Sequence, residues 1–208
     1  GLGSGSTAEA FVRALGARVA GGLSVSGVAS SLRTASLARG LGIRIFDVDE
    51  VETLDLGIDG ADEIAPDLAL VKGRGGALLH EKLVARLCGR FVIVATREKL
   101  VASLGARMPL PVEVVRFGWT ETRRRVESLG CTSQLRRIGA DPFLTDSGNY
   151  ILDCATGPMF NPASIASALK EISGVVEHGL FIDLATSALI VDEDGKVSEL
   201  GPRPSGDG

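Results

Sequence analysis

The first half of the chain alternates short apolar runs with amphipathic segments. Strand-like apolar runs occur at 25–29, 43–46, 54–59 and 91–95. Segments with helical periodicity occur at 8–19, 32–39 and 77–88. Strands that alternate with helices in this way are typical of a doubly wound parallel sheet. We therefore expect a Rossmann-like sheet here, with Ser6 or Thr7 capping the first helix.

Beyond Pro109 and Pro111 the order of the predicted elements changes. The pattern predicts, in order, a strand, a helix, a strand, a hairpin, a helix and a strand, at 112–116, 121–129, 133–137, 143–145 with 150–154, 162–172 and 175–181. The turn residues Asp146 to Asn149 would close the hairpin. A βαββαβ order is typical of a ferredoxin-like domain. The predicted fold class is thus α/β: a doubly wound Rossmann-like sheet with a second, smaller α+β ferredoxin-like domain.

These patterns also predict the domain limits. The first, catalytic domain is expected at 1–105 and 184–200, because the predicted strands 188–191 and 196–200 return to its sheet. The second domain is expected at 106–183. The polar, Pro- and Gly-rich segment 201–208 is expected to be a flexible tail.

Acidic, basic and glycine residues follow one predicted strand closely. Asp59 and Asp62 lie at the end of strand 54–59, and Lys72 and the glycines 73, 75 and 76 lie just before the next helix. Open α/β sheets bind their ligands at the carboxyl ends of their strands. The segment 59–82 is therefore the candidate site. Two aspartates could alternatively hold a metal ion or cap a helix, and Lys72 could simply pair with a carboxylate.

Glu81 lies on the apolar side of the predicted helix 77–88. At about 100° per residue it shares a face with Val84, Ala85 and Cys88, while Lys82 and Arg86 form the polar side. A carboxylate on a buried face costs free energy unless it is paired or protonated. Either Glu81 is a general base, or it is a buried residue satisfied by a lysine. The neighbouring His80 is more often a packing residue in such a position.

The glycine- and hydroxyl-rich segment Gly3 to Thr7 precedes the first helix. Backbone amides at a helix start, together with hydroxyl groups, form a natural anion site. The same sequence is also compatible with an ordinary capped helix.

Bulk composition excludes several classes of protein. The chain has 208 residues, a net charge of −4 and a pI near 5.3, which argues against a nucleic-acid partner. Its three cysteines are widely spaced, which predicts neither disulfides nor a zinc site. We find neither a signal peptide nor an apolar run of membrane-spanning length. A cytoplasmic location, away from membranes, is expected.

Several motifs together resemble ribose-5-phosphate isomerase of the A type. They are Gly3-Ser-Gly-Ser-Thr7, Asp59-Gly-Ala-Asp-Glu63, Lys72-Gly-x-Gly-Gly76, Glu81-Lys82, Leu110-Pro-Val-Glu-Val114, Thr145-Asp-Ser-Gly-Asn149, Gly174-Val-Val176 and Gly179-Leu-Phe181. Each motif is weak alone, but their order and spacing are specific, and they extend over nearly the whole chain. The resemblance implies interconversion of D-ribose 5-phosphate and D-ribulose 5-phosphate through an enediolate, in the non-oxidative pentose phosphate pathway.

The resemblance also implies roles for individual residues. Glu81 would be the base that transfers the proton, and Lys72 would stabilise the enediolate oxygen. Asp59 and Asp62 would hold sugar hydroxyls and assist ring opening. The implied substrate-binding set is Ser4, Gly5, Ser6, Thr7, Asp59, Gly60, Ala61, Asp62, Lys72, Gly73, Arg74, Gly75 and Lys99. No metal and no cofactor is expected. The ferredoxin-like domain is expected to mediate a homodimer or homotetramer, because its exposed sheet would otherwise leave apolar surface in water.

The sequence departs from the family pattern in three places. A helix and a strand precede the glycine-rich turn in the family, so the first domain is expected to lack its N-terminal strand. Arg74 stands where the family more often has glycine, and only its backbone amide is expected to act. Thr96, Arg97 and Glu98 differ from the family's tetrapeptide, whereas Lys99 is retained.

Two other functions are compatible with parts of the pattern. A sugar-phosphate sensor on a similar fold would need a DNA-binding helix-turn-helix, which we do not find, and would have no use for Glu81. An acyl-CoA transferase-like enzyme would attack with a glutamate, but the hydroxyl-rich turn favours a phosphate ligand.

Overall fold

The computed structural model describes residues 1–201. Its α-helices are α1 (Gly5–Ala20), α2 (Leu32–Gly40), α3 (Leu78–Leu87), α4 (Trp119–Glu127) and α5 (Pro162–Lys170). Its strands are β1 (Ser26–Gly27), β2 (Arg44–Ile45), β3 (Leu54–Asp59), β4 (Glu63–Ile64), β5 (Leu70–Val71), β6 (Cys88–Thr96), β7 (Leu110–Val114), β8 (Thr132–Leu135), β9 (Arg137–Ile138), β10 (Asp141–Pro142), β11 (Tyr150–Ala155), β12 (Val175–His178), β13 (Leu180–Phe181), β14 (Ser187–Val191) and β15 (Val197–Leu200). The protein is a mixed α/β structure with several sheets.

The chain divides into two compact units. The first contains 1–61, 80–97 and the described residues from 183 onward; the second contains 62–79 and 98–182. The predicted first domain, 1–105 and 184–200, therefore includes two segments, 62–79 and 98–105, that pack in the second unit. The predicted flexible tail falls, beyond Gly201, outside the described residues.

The first unit is built on parallel strands. Strands β3, β6 and β14 pair in parallel, and β15 closes the edge in antiparallel orientation. A second parallel pair, β1 with β2, is connected to β3 through Leu2, which forms parallel bridges with both Ala29 and Ile58. Leu2 thus lies between Ala29 and Ile58. Parallel pairing brings the carboxyl ends of these strands to one edge.

Helices α1 and α2 share a small core in the first unit. Leu2, Val12, Ala38 and Ile43 are buried together there. Gly16 of α1 faces Leu41, and a Cβ at this glycine would lie 2.7 Å from the Cβ of Leu41. Glycine at this position therefore allows the two segments to approach each other closely.

The second unit contains an antiparallel sheet with the order β12-β7-β11-β8. Its main core combines Val126 of α4 and Leu169 of α5 with strand residues Leu110, Val112 and Leu152. Helix α5 begins at Pro162 behind Asn161, whose side chain accepts a hydrogen bond from the Ser164 amide. A smaller sheet, β13-β5-β4, carries the segment that precedes the glycine loop.

Three details of the predicted elements were wrong. The segment 143–145 is not a strand; Thr145 instead closes a turn with Gly148 and Asn149 through backbone hydrogen bonds. The predicted strand 175–181 is interrupted at Gly179, because β12 pairs with β7 whereas β13 pairs with β5. Helix α1 begins at Gly5 with Ser4 as its N-cap residue, earlier than the predicted cap at Ser6 or Thr7.

No helix within residues 1–201 is long and apolar enough to cross a membrane.

Candidate active site

Gly3 and Ser4 of the first unit pack directly against Asp59. Asp59 is the last residue of β3 and only 1% exposed, and its Oδ1 accepts hydrogen bonds from the amides of Ser4 (3.1 Å) and Gly60 (2.7 Å). A Cβ at Gly3 would lie 2.1 Å from the Asp59 Cγ, so only glycine permits this approach. The glycine-rich turn and Asp59 therefore form one hydrogen-bonded structure, as the sequence predicts for the edge of the sheet.

Two further hydroxyl side chains, those of Ser30 and Thr34, also bind the glycine-rich turn. The Oγ atoms of Ser4 and Ser30 are 2.7 Å apart, and Thr34 Oγ1 donates to the Gly3 carbonyl at 3.0 Å. Sequence reasoning missed both Ser30 and Thr34. The feature that could have indicated these two residues is the N-terminal cap of α2. There the Ser31 side chain accepts a hydrogen bond from the Thr34 amide.

The start of α1 follows this turn. Gly5 has a φ of +86°, which favours glycine, and Ser6 and Thr7 are exposed in the first turn of the helix. The first amides of a helix have no acceptor within the helix and lie at its positive end. A Cβ at Gly60 would contact the Thr7 side chain at 3.5 Å. Thr7 and Gly60 are therefore neighbours in the first unit.

Glu81 is buried in α3, with 4% exposure, and its Oε2 is shielded from solvent. Val84 and Ala85 of the same helix are also buried, as its predicted apolar face requires. Lys82 was expected on the polar side, but it is only 3% exposed. His80 lines a cleft of the first unit together with Phe46.

In the second unit, Asp62 is bound by the glycine loop, residues 73–76. The Asp62 Oδ2 accepts a hydrogen bond from the Arg74 amide at 2.9 Å. Gly73 and Gly76 have φ values of +104° and +87°, and the Gly76 amide donates to the Gly73 carbonyl. The left-handed conformations explain both glycines, since Cβ atoms would be strained there. Arg74 contributes its backbone amide to this contact.

Lys72 is held by its backbone and flanked by an aromatic ring. It is 3% exposed, and its amide donates to the Gly179 carbonyl at 2.8 Å. Its Nζ lies 5.4 Å from the centroid of the Phe181 ring, a distance at which an ammonium is attracted to the ring face. A Cβ at Gly179 would lie 2.2 Å from the Lys72 carbonyl oxygen. Gly179, where the predicted strand 175–181 is interrupted, thus allows the close backbone contact that positions Lys72.

Lys99 is a residue of the second unit and ends a short 3-10 helix, Arg97–Lys99. Its side chain is 27% exposed and its Nζ is 4.0 Å from the Glu98 Oε1. This is a solvent-accessible ammonium group that an anionic ligand could contact.

Known proteins are similar to this chain in sequence and in fold. The family model for ribose 5-phosphate isomerase A (phosphoriboisomerase A) matches residues 26–195. A ribose-5-phosphate isomerase A of Thermomicrobium roseum is 54% identical over 197 residues, which cover 94% of this chain and 83% of that protein. One from a Synechococcus species is 54% identical over 198 residues, which cover 94% of this chain and 86% of that protein.

The chain belongs to the ribose 5-phosphate isomerase A family.

Solved structures of ribose 5-phosphate isomerases share the whole fold. The Plasmodium falciparum enzyme superimposes with a TM-score of 0.93 at 34% identity, covering 98% of this chain and 90% of that one. A D-ribose-5-phosphate isomerase in complex with phospho-erythronic acid superimposes with a TM-score of 0.92 at 34% identity, covering 96% and 89%. The resemblance stated from the sequence is confirmed.

A further buried carboxylate of this family member was missed by sequence reasoning. Glu63 is 1% exposed and accepts hydrogen bonds from the amides of Gly105 (2.5 Å), Arg107 (2.7 Å) and Met108 (2.9 Å). It follows Asp62 directly, so it fixes the segment that carries this aspartate to the loop 105–108. The only signal in the sequence was its position in the motif Asp59 to Glu63.

Within the described part of the chain, no group of three or more His, Cys, Asp or Glu side chains is arranged to hold a metal ion.

Proposed function

We propose that this chain interconverts D-ribose 5-phosphate and D-ribulose 5-phosphate through an enediolate, a step of the non-oxidative pentose phosphate pathway. The observation that carries the proposal is the family match over residues 26–195, together with 54% identity to a relative over 94% of the chain. The phospho-erythronic acid bound to one solved relative is a sugar-acid phosphate, which agrees with this substrate class.

The phosphate group of the substrate is bound by the start of α1 and by Lys99. The amides of Gly5, Ser6 and Thr7 and the hydroxyls of Ser4, Ser6 and Thr7 are hydrogen-bond donors at a helix N-terminus, which favours an anion. The Ser4 amide is bound to Asp59. The hydrogen bonds of Ser4 to Asp59 and Ser30 support this role, because they fix the turn before any ligand binds. Lys99 supplies a charge-assisted contact.

The sugar hydroxyls are held by the segment Asp59 to Asp62, including Gly60 and Ala61. Asp59 and Asp62 are each already oriented by backbone amides, which limits the loss of side-chain freedom on binding. Both carboxylates are acceptors for hydroxyl groups. Either can take the proton of the anomeric hydroxyl and return it to the ring oxygen O4 as the C1–O4 bond breaks, which opens the furanose ring.

Glu81 is the base of the isomerisation. It takes the proton from C2 of the open-chain aldose, and the electron pair of the broken C–H bond forms the enediolate. The same carboxyl group then delivers the proton to C1, while a proton moves between the two oxygens. The buried position of Glu81 supports this role, because exclusion of bulk water protects the reactive enediolate from side reactions.

Lys72 stabilises the negative charge that develops on the enediolate oxygen. The amides of Gly73 and Gly75 assist it as hydrogen-bond donors, while the Arg74 amide holds the same loop to Asp62. The anchoring of the Lys72 amide to Gly179 supports this role, since a fixed cation needs little reorganisation when the charge appears. The reaction is an internal proton transfer, so we propose that it requires neither a metal ion nor a cofactor.

We further infer a two-domain fold of the predicted classes. The parallel strands β3, β6 and β14, with Leu2 and β1 continuing the order, support a doubly wound Rossmann-like sheet. The order β12-β7-β11-β8 supports a ferredoxin-like domain, because its strands follow as fourth, first, third and second. We propose a homodimer or homotetramer. The free cysteines are consistent with a cytoplasmic location.

Incubation of the purified chain with ribose 5-phosphate tests the proposed function. We expect the ketopentose phosphate to accumulate to equilibrium, and ribose without its phosphate to react far more slowly. The absence of ketopentose phosphate above the enzyme-free control would contradict the proposal.

A further inference from the structure

Arg136 occupies a fixed position at the end of β8 in the second unit. Its amide donates to the Ile151 carbonyl at 2.8 Å, and its carbonyl accepts from the Phe143 amide at 2.9 Å. The backbone of Arg136 is therefore held by the chain on both sides, and the direction of its side chain is set by the sheet.

The guanidinium of Arg136 forms a two-pronged ion pair with Asp153. Its Nε donates to Oδ2 at 2.9 Å, and its Nη2 donates to Oδ1. The two side chains are 15% and 24% exposed, so the pair is largely shielded from water. Such a planar pair fixes the orientation of the whole guanidinium.

The remaining nitrogen of Arg136 binds the glycine loop. Nη1 donates to the carbonyl oxygens of Gly73 and Arg74, both at 2.9 Å. Phe143 packs against the other end of the loop: a Cβ at Gly76 would lie 2.3 Å from its Cζ atom. The loop is therefore held at two points by residues far away in sequence.

The planarity of the peptide group determines where the loop amides point. In a trans peptide the N–H is directed opposite to the preceding C=O, and no cis peptide occurs in the described residues. Because the Gly73 and Arg74 carbonyls accept hydrogen bonds from Arg136, the amides of Arg74 and Gly75 are directed away from the guanidinium. The hydrogen bond from the Arg74 amide to Asp62 agrees with this orientation.

We propose that Arg136 is a positioning residue for the isomerisation. By binding two carbonyls it turns the Arg74 amide to Asp62 and the Gly75 amide to the developing oxyanion. Arg136 itself does not contact the substrate. The inference rests on the proposed function, because it assigns a purpose to the loop of that same site.

Arg137 provides a matched control. It is the next residue, carries the same charge, and its Nη1 donates to the Ala140 carbonyl within its own turn. Removal of Arg137 changes the net charge as removal of Arg136 does, but leaves the glycine loop untouched.

The kinetic test compares Arg136→Ala and Arg136→Lys with Arg137→Ala. For Arg136→Ala we expect kcat to fall about 10- to 100-fold with KM within about threefold, because a donor misplaced by about 1 Å costs this much. Lysine lacks the planar fork, so Arg136→Lys should remain impaired. Millimolar guanidinium should restore part of the kcat of Arg136→Ala and leave Glu81→Gln unchanged. A kcat for both Arg136 variants equal to that of Arg137→Ala would overturn the proposal.

Amide hydrogen exchange tests the same contact without any substrate. Peptides covering 72–76 should exchange at least several-fold faster in Arg136→Lys than in wild type or Arg137→Ala, with other segments unchanged. Unchanged exchange in this loop would overturn the proposal, even if the wild-type chain failed to isomerise ribose 5-phosphate. If the wild-type chain failed to isomerise ribose 5-phosphate while residues 72–76 exchanged faster in Arg136→Lys, the result would count against the proposed function instead.

Discussion

At the scale of the residue, the candidate site depends on close contacts that only particular side chains allow. Gly3 shows this dependence most clearly. Its Cα lies against the Asp59 carboxylate, and an added methyl group would be 2.1 Å from the Asp59 Cγ. Because Asp59 also accepts the Ser4 amide, any displacement of its carboxylate also displaces the turn. A single residue thus links the proposed phosphate anchor to the proposed sugar-binding aspartate.

Gly3→Ala should therefore damage both stability and activity. We expect a loss of roughly 1–3 kcal/mol in the free energy of unfolding, the usual cost of an overpacked site, together with weaker substrate binding. Gly40→Ala is the control, because a Cβ at Gly40 meets nothing within 4 Å and the residue ends α2. Urea denaturation of the two variants measures the difference. Equal stabilities would mean that the turn adjusts freely.

At the scale of the element, short strands and loops position the site more than long helices do. Asp62 directly precedes the two-residue strand β4, which begins at Glu63 and lies at the edge of a small sheet. The Glu63 carboxylate accepts hydrogen bonds from three backbone amides of the loop 105–108. A buried acceptor of this kind holds irregular chain in place where regular hydrogen bonding is absent.

Glu63→Gln should weaken the second unit. The amide of glutamine fits the same space, but its NH₂ group would face backbone N–H donors, so at least one hydrogen bond is lost. The cost should be about 1–3 kcal/mol, the penalty for a buried polar group without its partner. The exposed Glu52→Gln should leave the unfolding midpoint unchanged. A Glu63→Gln protein as stable as wild type would show that the loop is held by other contacts.

The sequence pattern predicts the elements whose hydrophobic periodicity is strong. It fails where contacts between residues far apart in sequence determine the local structure. Strand 54–59 and the five helices appear where they were expected, within a few residues. The break at Gly179 was not predictable, because it results from pairing with two different strands. The segment 143–145 has the composition of a strand, but Phe143 packs at Gly76 instead.

The residues of the candidate site were predicted unevenly for the same reason. Asp59, Lys72 and Glu81 belong to motifs of recognisable order and spacing. Arg136 and Asp153 are separated from the glycine loop by about 60 or more residues of sequence, and no local pattern distinguishes Arg136 from Arg137. Lys82 was expected on the surface because helical periodicity describes one helix alone and takes no account of the chain packed around it.

At the scale of the whole molecule, the second unit exposes large apolar side chains. Phe117 is 95% exposed and Phe160 is 105% exposed, and Ile138 is 69% exposed. Apolar surface of this kind is typical of association sites. We therefore expect the second unit to contribute to a homodimer or a larger assembly.

Sedimentation velocity at micromolar concentration tests this expectation. The wild-type chain should sediment as a dimer or tetramer, and Phe117→Ser with Phe160→Ser should shift it toward the monomer. Val197→Ser, which removes an exposed apolar side chain of the first unit, should not. A wild-type chain that sediments as a monomer would contradict the proposed assembly.

The most direct test of the central claim is proton transfer by Glu81. Glu81→Gln keeps the shape of the side chain but removes the proton acceptor, whereas Glu52→Gln serves as the control. With ribose 5-phosphate in deuterated water, we expect binding to be nearly unchanged, kcat to fall by about 10²- to 10⁴-fold, and deuterium incorporation at C2 to fall in the same proportion. A Glu81→Gln protein that still exchanged the C2 proton at the wild-type rate would contradict the account.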